Sequence, residues 1–203
     1  KMLSIDKIKK ILSLGENKRV EFKKCTDQVS ASVYETICSF LNAEGGHIFL
    51  GVNDDGVIIG INPKCAIDMT KSIINTLNNP EQFLPPMPIN PEIIEIDGKL
   101  IIYINVPESD QVHRYKNRFF DRWGDADNDV SKHTYLVKNM FMRKEKESSE
   151  NEIFPDVTLE DMDDESFKIM RSHISIHNSN HPWLSMTNEE FLKSLFWGKQ
   201  RET

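Results

Sequence analysis

The sequence predicts an α/β fold followed by a helical C-terminal extension. Two observations lead there. Segments with apolar residues at helical spacing alternate with short β-branched runs between Ser4 and Arg143. Beyond Arg143 the strand signal stops, and two helix-starting patterns, Thr158 with Asp161 and the capping box Thr187 with Glu190, replace it. A chain of 203 residues with 38% hydrophobic and 28% charged content is long enough for one sizeable domain plus such an appendage. The boundaries read as an α/β domain over 1–143, a charged linker over 144–157 and a helical extension over 158–203. Lys1 stands ahead of Met2, and the chain stops straight after a helix, so further domains of a longer protein are expected beyond Thr203.

The elements follow in order. Ser4 caps a first helix whose Ile5, Ile8, Ile11 and Leu12 recur at helical spacing, and Gly15 stops it. Arg19 to Cys25 alternates as a strand does. Val29, Val33, Ile37, Phe40 and Leu41 mark a second amphipathic helix. His47 to Val52 is nearly all apolar, as expected of a central strand covered on both faces. Asp54-Asp55-Gly56 then turns the chain into Val57 to Ile61, read as the returning half of a hairpin. Ala66 to Leu77 predicts a helix, and the prolines between Leu84 and Pro91 an ordered connector, since each denies a ladder its donor. Glu92 to Ile96 and Lys99 to Val106 predict a hairpin around Asp97-Gly98. Arg118 to Trp123 reads as a short strand or loop edge, His133 to Arg143 as a helix, and Lys144 to Asn151 as a polar loop.

Charge narrows the function classes. The net charge of −7 argues against a protein that coats DNA indiscriminately. It is unevenly spread: residues 1–24 carry eight Lys/Arg against Asp6, Glu16 and Glu21, whereas residues 145–165 carry ten Asp/Glu against Lys146 alone. A basic front of this kind suits local phosphate binding. Cys25, Cys38 and Cys65 are odd in number and far apart, which fits neither a disulfide framework nor a structural zinc site. No apolar run approaches a membrane span and no signal peptide is expected, so a cytoplasmic location and no membrane partner are the default.

Two spaced signatures carry the functional information. The first is Gly15-Glu16-Asn17-Lys18-Arg19-Val20-Glu21-Phe22-Lys23. The second begins Asn42-Ala43-Glu44-Gly45-Gly46, passes through an apolar strand, and closes with Gly51-Val52-Asn53-Asp54-Asp55-Gly56. In these positions, and in Arg122-Trp123-Gly124, the chain resembles the Schlafen AlbA-type domain, a family labelled DNA-binding or divergent ATPase. The resemblance covers roughly residues 12 to 143. It departs at Asn17, where a Ser is usual, and at Asp125 to Asp129, where small hydroxyl residues are commoner. It implies an α/β (α+β) fold with a mixed β-sheet and flanking helices. It also implies the N-terminal module of a bacterial transcriptional regulator that binds DNA or RNA. In animal Schlafens two lobes pair to grip RNA, so a single lobe implies a homodimer. The family's ATPase label finds no counterpart here: Gly-x-x-x-x-Gly-Lys-Ser/Thr is missing, and ATP is not expected.

Glu16, Glu21 and Asp54 match the acidic trio of certain nucleolytic Schlafens. Hard oxygen ligands of this type would hold Mg²⁺ or Mn²⁺ for a divalent-metal-dependent endoribonuclease, with Lys23 neutralising transition-state charge. The plainer alternative pairs Glu21 with Lys23 along one strand face and lets Asp54 cap its own turn. Lys18, Arg19, Lys23, Lys24, Arg114, Lys116, Arg118 and Arg122 are the candidate phosphate contacts, for which no cofactor is required. Tyr115, Phe119 and Phe120 interleave with the second basic group, either as stacking surfaces or, for one of the two phenylalanines, as core. Gly45-Gly46 reads as a tight helix-to-strand turn. His173, His177 and His181 recur at spacing four, but Asn178-Ser179-Asn180 argues against one helix presenting all three. Trp183 and Trp197 read as anchors for the tail. A third function class, a protein-interaction or ligand-sensing domain, is favoured by the acidic net charge.

Overall fold

Ile48 and Leu50 point to one side of the central strand and Phe49 to the other, and all three are fully buried. That double burial organises the computed structural model, which describes residues 3–152, 164–177 and 181–191. Strand β1 (Val20–Lys23) runs parallel to β2 (Gly46–Leu50). Antiparallel β5 (Lys99–Val106) and β4 (Glu92–Ile96) complete a mixed sheet of order β1-β2-β5-β4. A parallel neighbour cannot be reached through a tight turn, so helix α2 (Ala31–Asn42) makes the crossover. β4 and β5 join through Asp97-Gly98, both at positive φ as a two-residue hairpin favours.

Helices cover both faces. Val33, Ile37 and Leu41 of α2 pack with Met69, Ile73 and Leu77 of α3 (Ala66–Asn78) against Ile48, Leu50, Ile102 and Ile104. On the other face, Ile8 and Leu12 of α1 (Ile5–Leu14) meet Phe22, Phe49, Ile96 and Ile101. Each such side chain contributes about 1.5–3 kcal/mol when fully buried. Ser4 caps α1 by accepting the Lys7 N–H, and Gly15 ends it at φ 79°. A Cβ at Gly56 would lie 2.3 Å from the Leu12 carbonyl oxygen, so only glycine lets the acidic turn rest on the end of α1. Two short ladders finish the first unit: β3 (Phe83–Leu84) with β6 (Arg114–Tyr115), and β7 (Phe120–Trp123) with β8 (Ala126–Asp129).

Two expectations are corrected. Val57 to Ile61 forms no returning strand; only the isolated bridges Val52–Ile58 and Ile61–Leu100 occur, because β5 already takes the ladder position beside β2. Lys144 to Asn151 is not a loop, since helix α4 (Thr134–Glu152) runs through it. The physical reason lies at Arg143 and Lys144. Arg143 donates to Asn42 O (3.0 Å), and the buried Lys144 donates to Ala43 O (3.1 Å), so tertiary contacts hold a turn that composition reads as solvated.

The chain divides into two compact units, residues 1–149 and 150–203. In the second, α5 (Asp164–His177) supplies Phe167, which packs on Phe191 with Met170, Ile174, Trp183 and Met186 around them. Trp183 is therefore part of this unit's own core, 5.8 Å from the Phe191 ring. Thr187 and Glu190 form the expected capping box, Glu190 N donating to Thr187 Oγ1 and Thr187 N to Glu190 Oε2. His181 accepts the Trp183 N–H and caps a short 3-10 turn. Asn178 to Asn180, the Thr158–Asp161 cap and Trp197 lie outside the described residues, as do the side chains of His173 and His177.

A buried polar staple closes the first unit. Asn42 Oδ1 accepts the His113 N–H (2.7 Å), and Asn42 Nδ2 donates to His113 O and Phe120 O (both 2.9 Å). The His113 ring is itself saturated, with Nδ1 donating to Pro85 O (2.8 Å) and Nε2 accepting from the Ser109 hydroxyl (2.7 Å). Burial holds the imidazole below its ordinary pKa, with Lys144 acting in the same direction and Pro85 O and Asp110 opposing. A folded-state pKa below the unfolded value means that the unfolded chain binds the extra proton. His113 therefore contributes stability that is complete above about pH 6.5 and is lost as pH falls through its folded-state pKa. The half-buried His47 is shifted the same way, by burial and by Arg19. Thermal melts taken between about pH 7.5 and 5.5 should show Tm falling in the native protein and a shallower slope in His113→Gln. Parallel slopes would refute this.

Candidate nucleic-acid interface

The two signatures meet. Lys23 O accepts N–H bonds from Gly51 (2.8 Å) and Val52 (3.3 Å), which seats the turn after β2 beside the end of β1. A cleft of about 670 Å³ lies there, lined by Glu16, Glu21, Lys23, Lys24 and Asp54, with Ser30 from the start of α2. Glu16 is an exposed residue, yet its carboxylate is tucked against β1 and accepts the Phe22 N–H at 2.8 Å. Burial raises its pKa, and the nearby Glu21 and Asp54 charges push the same way, against Phe22 N–H and Lys23.

Glu21 is committed on both oxygens. Oε1 pairs with Lys23, and Oε2 takes Arg122 Nη2 at 2.8 Å. Asp54 pairs across the cleft with Lys24 at 3.2 Å rather than capping its turn; Asn53 Oδ1 does that, accepting from Asp55 N and Val57 N. Carboxylate oxygens are the right donors for Mg²⁺ or Mn²⁺, but here lysine and arginine pair with those of Glu21 and lysine with those of Asp54, while Glu16 accepts a backbone N–H. Among the described residues, no group of three or more His, Cys, Asp or Glu is placed to hold a metal ion. The trio shares a cleft without fitting a shared metal shell.

The candidate cations separate into classes. Arg122 is not a surface contact: its side chain is 2% exposed and bonds Glu21, Asp127 (2.8 Å), Asn17 O (3.0 Å) and Lys18 O (3.4 Å) above the Phe40 ring. The acidic stretch after it explains why, since Asp127 neutralises the guanidinium and also accepts from Thr36 and Ser39. Lys23 is half-buried on Glu21. Lys18 and Lys24 are exposed, in ion pairs with the equally exposed Glu44 and Asp54. Arg19 is exposed and donates to Glu44 O, so with Arg143 and Lys144 it places a third cation on the carbonyls ending α2, where the helix dipole favours positive charge. Arg114 is half-buried in β6, Lys116 is exposed, and Arg118 pairs with Glu35 (3.4 Å) and Asp129 (3.0 Å).

Of the aromatics expected to offer stacking surfaces, Tyr115 and Phe120 are core, 5% and 2% exposed, and Phe119 packs half-buried on Phe141. Among the described residues the exposed aromatics are Trp123, Tyr135 and Phe141, and Trp123 entered the sequence reasoning only as part of a motif. Gly45-Gly46 is the tight turn: a Cβ on Gly45 would meet Val106 O at 2.6 Å, and one on Gly46 the Phe40 ring at 2.6 Å. Among the described residues no helix is long and apolar enough to cross a membrane.

Comparison with known proteins places these features. The family described as "Schlafen, AlbA_2" matches residues 16–131, and a family described as a domain of unknown function (DUF8451) matches residues 138–203. Among solved structures, the chain is similar to the N-terminal domain of an ATP-dependent DNA helicase RecG-related protein from Nitrosomonas europaea. The two share 22% identity over 53% of this chain and 74% of that one, with a TM-score of 0.41. It is also similar to the DIP2311 protein from Corynebacterium diphtheriae, at 16% identity over 60% of this chain and 27% of that one, TM-score 0.44. With its motif segments joined at one cleft and its family match spanning more than half its length, the chain belongs to the Schlafen AlbA_2 family.

Proposed function

We propose that the first unit is a nucleic-acid-binding module, the N-terminal part of a DNA-binding bacterial transcriptional regulator acting as a homodimer. Family membership supports the class. The observation that carries the reading is the contrast between exposed and buried ion pairs on the first unit, of which Lys24–Asp54 lines the cleft and Lys18–Glu44 precedes strands β1 and β2. Lys24–Asp54 and Lys18–Glu44 have every side chain more than half exposed. Such pairs contribute about 0–1 kcal/mol, so a phosphate can replace the carboxylate at little loss. Arg122–Glu21 is buried and cannot exchange in that way. The cations in exchangeable pairs, Lys18 and Lys24, are thus the binding set, joined by the exposed Arg19, which donates to a backbone carbonyl, with Lys116 and Arg118 on a separate strand end. The nuclease alternative rests on the three carboxylates sharing the cleft, and the ion pairing of Glu21 and Asp54 counts against it.

Fluorescence anisotropy with labelled DNA and RNA over about 50–200 mM salt tests this. Affinity should fall with salt, and Lys24→Ala should weaken binding several-fold and reduce the log–log salt slope by about 1, with Tm unchanged. EDTA should leave the curves in place. No binding to either nucleic acid at low salt sinks the proposal and favours a protein-interaction role.

A further inference from the structure

Strand β7 faces two ways. Arg122 reaches inward to Glu21 of the cleft, whereas Asp121 and Trp123, two residues apart, share the other face of the strand. Asp121 is 6% exposed and acts as a hub: Oδ2 accepts from Trp123 Nε1 (3.3 Å), and Oδ1 accepts from Arg143 Nη2 (3.0 Å) and the Arg122 N–H (3.0 Å). Trp123 is nevertheless 48% exposed and the Arg143 side chain 41% exposed. Among the described residues no other ring stacks on Trp123. One buried carboxylate therefore orients an open indole and an open guanidinium beside each other. A lone exposed aromatic needs no explanation. A tryptophan held by its ring N–H, with an arginine fixed to the same anchor, is a pre-organised pair, and pre-organisation lowers the cost of binding.

We propose that Trp123 and Arg143 form a stacking subsite for an unpaired base of single-stranded nucleic acid, the base lying on the indole and an adjacent phosphate on the guanidinium. This rests on the nucleic-acid reading above and specifies the strand state it reads. A base presents its π-face only when unpaired and unstacked, so the subsite discriminates single strand from duplex without reading sequence. Arg143 supplies a planar, bidentate phosphate donor whose position Asp121 already sets.

The test measures Kd for a labelled oligothymidine of about 12 nucleotides, within the usual site sizes, and for a duplex of equal length. Native protein, Trp123→Ala and Trp123→Phe are compared, with Tm checked for each. Loss of one stacked base should weaken single-strand binding about tenfold in Trp123→Ala, Trp123→Phe should recover part of it, and duplex binding should not move. Indole emission should be quenched by the oligothymidine in native protein more than in Trp123→Phe. Equal single-strand affinity in native and Trp123→Ala, or an equal loss on both ligands, overturns the subsite alone. Failure of native protein to bind either ligand overturns the subsite together with the proposed function.

Discussion

Arg122→Met is expected to destabilise the first unit by about 3–5 kcal/mol, because it leaves Asp127 without its cation and Glu21 with Lys23 alone. Glu21 and Asp127 both lose the guanidinium that neutralises them, with their side chains 10% and 15% exposed. The carbonyls of Asn17 and Lys18 lose a donor in the same stroke. Methionine keeps most of the volume over the Phe40 ring, so the loss reads charge rather than a cavity. For a unit of this size each kcal/mol moves Tm by roughly 2–4 °C, and urea melts should show the midpoint falling accordingly. Adding Glu21→Gln to Arg122→Met should cost less than the two single changes together, since the carboxylate that lost the guanidinium is no longer charged. A cost below about 1 kcal/mol for Arg122→Met would return Arg122 to the surface-contact class.

Asn42→Leu should cost about 2–6 kcal/mol, by a different route. It leaves the His113 N–H and Phe120 O without partners and His113 O with the Cys38 thiol alone, in a region with no water-facing side, and each orphaned buried group costs about 1–3 kcal/mol. Asn42→Asp preserves shape and one acceptor but turns a carboxylate toward two carbonyl oxygens, so it should be no milder. Hydrogen exchange adds a local readout: the His113 amide should exchange much faster in both variants, whereas amides of β4, on the far side of the sheet, should follow only the global loss. Native-like protection at His113 in Asn42→Leu would contradict the staple.

Much of the architecture was legible because it is written in short-range terms. The α1 cap at Ser4, the positive-φ turn at Asp97-Gly98 and the apolar run of β2 each depend on neighbours within a few residues. The two misread stretches depend on distant partners: Val57 to Ile61 lost its ladder to β5, and Lys144 was drawn into the helix by Ala43 O, 101 residues away. The candidate site divides the same way. The meeting of the Glu16–Lys24 and Asp54 segments follows from parallel pairing of β1 with β2, and both motifs were visible. Asn53, rather than Asp54, capping the turn was not.

By itself the sequence determined the alternation of helices and strands, the glycine turns that only Gly tolerates, and the two motifs that identify the family. Tertiary structure alone decided which charges are available. Lys24 and Arg122 look alike in the sequence, yet one forms an exposed, exchangeable pair and the other is buried against Glu21, 101 residues away, and Asn17 O, 105 residues away. Periodicity reports which side of an element faces the core. The solvation of a charge depends on everything that surrounds it in space, and for Arg122 and Trp123, adjacent on one strand, those surroundings are opposite.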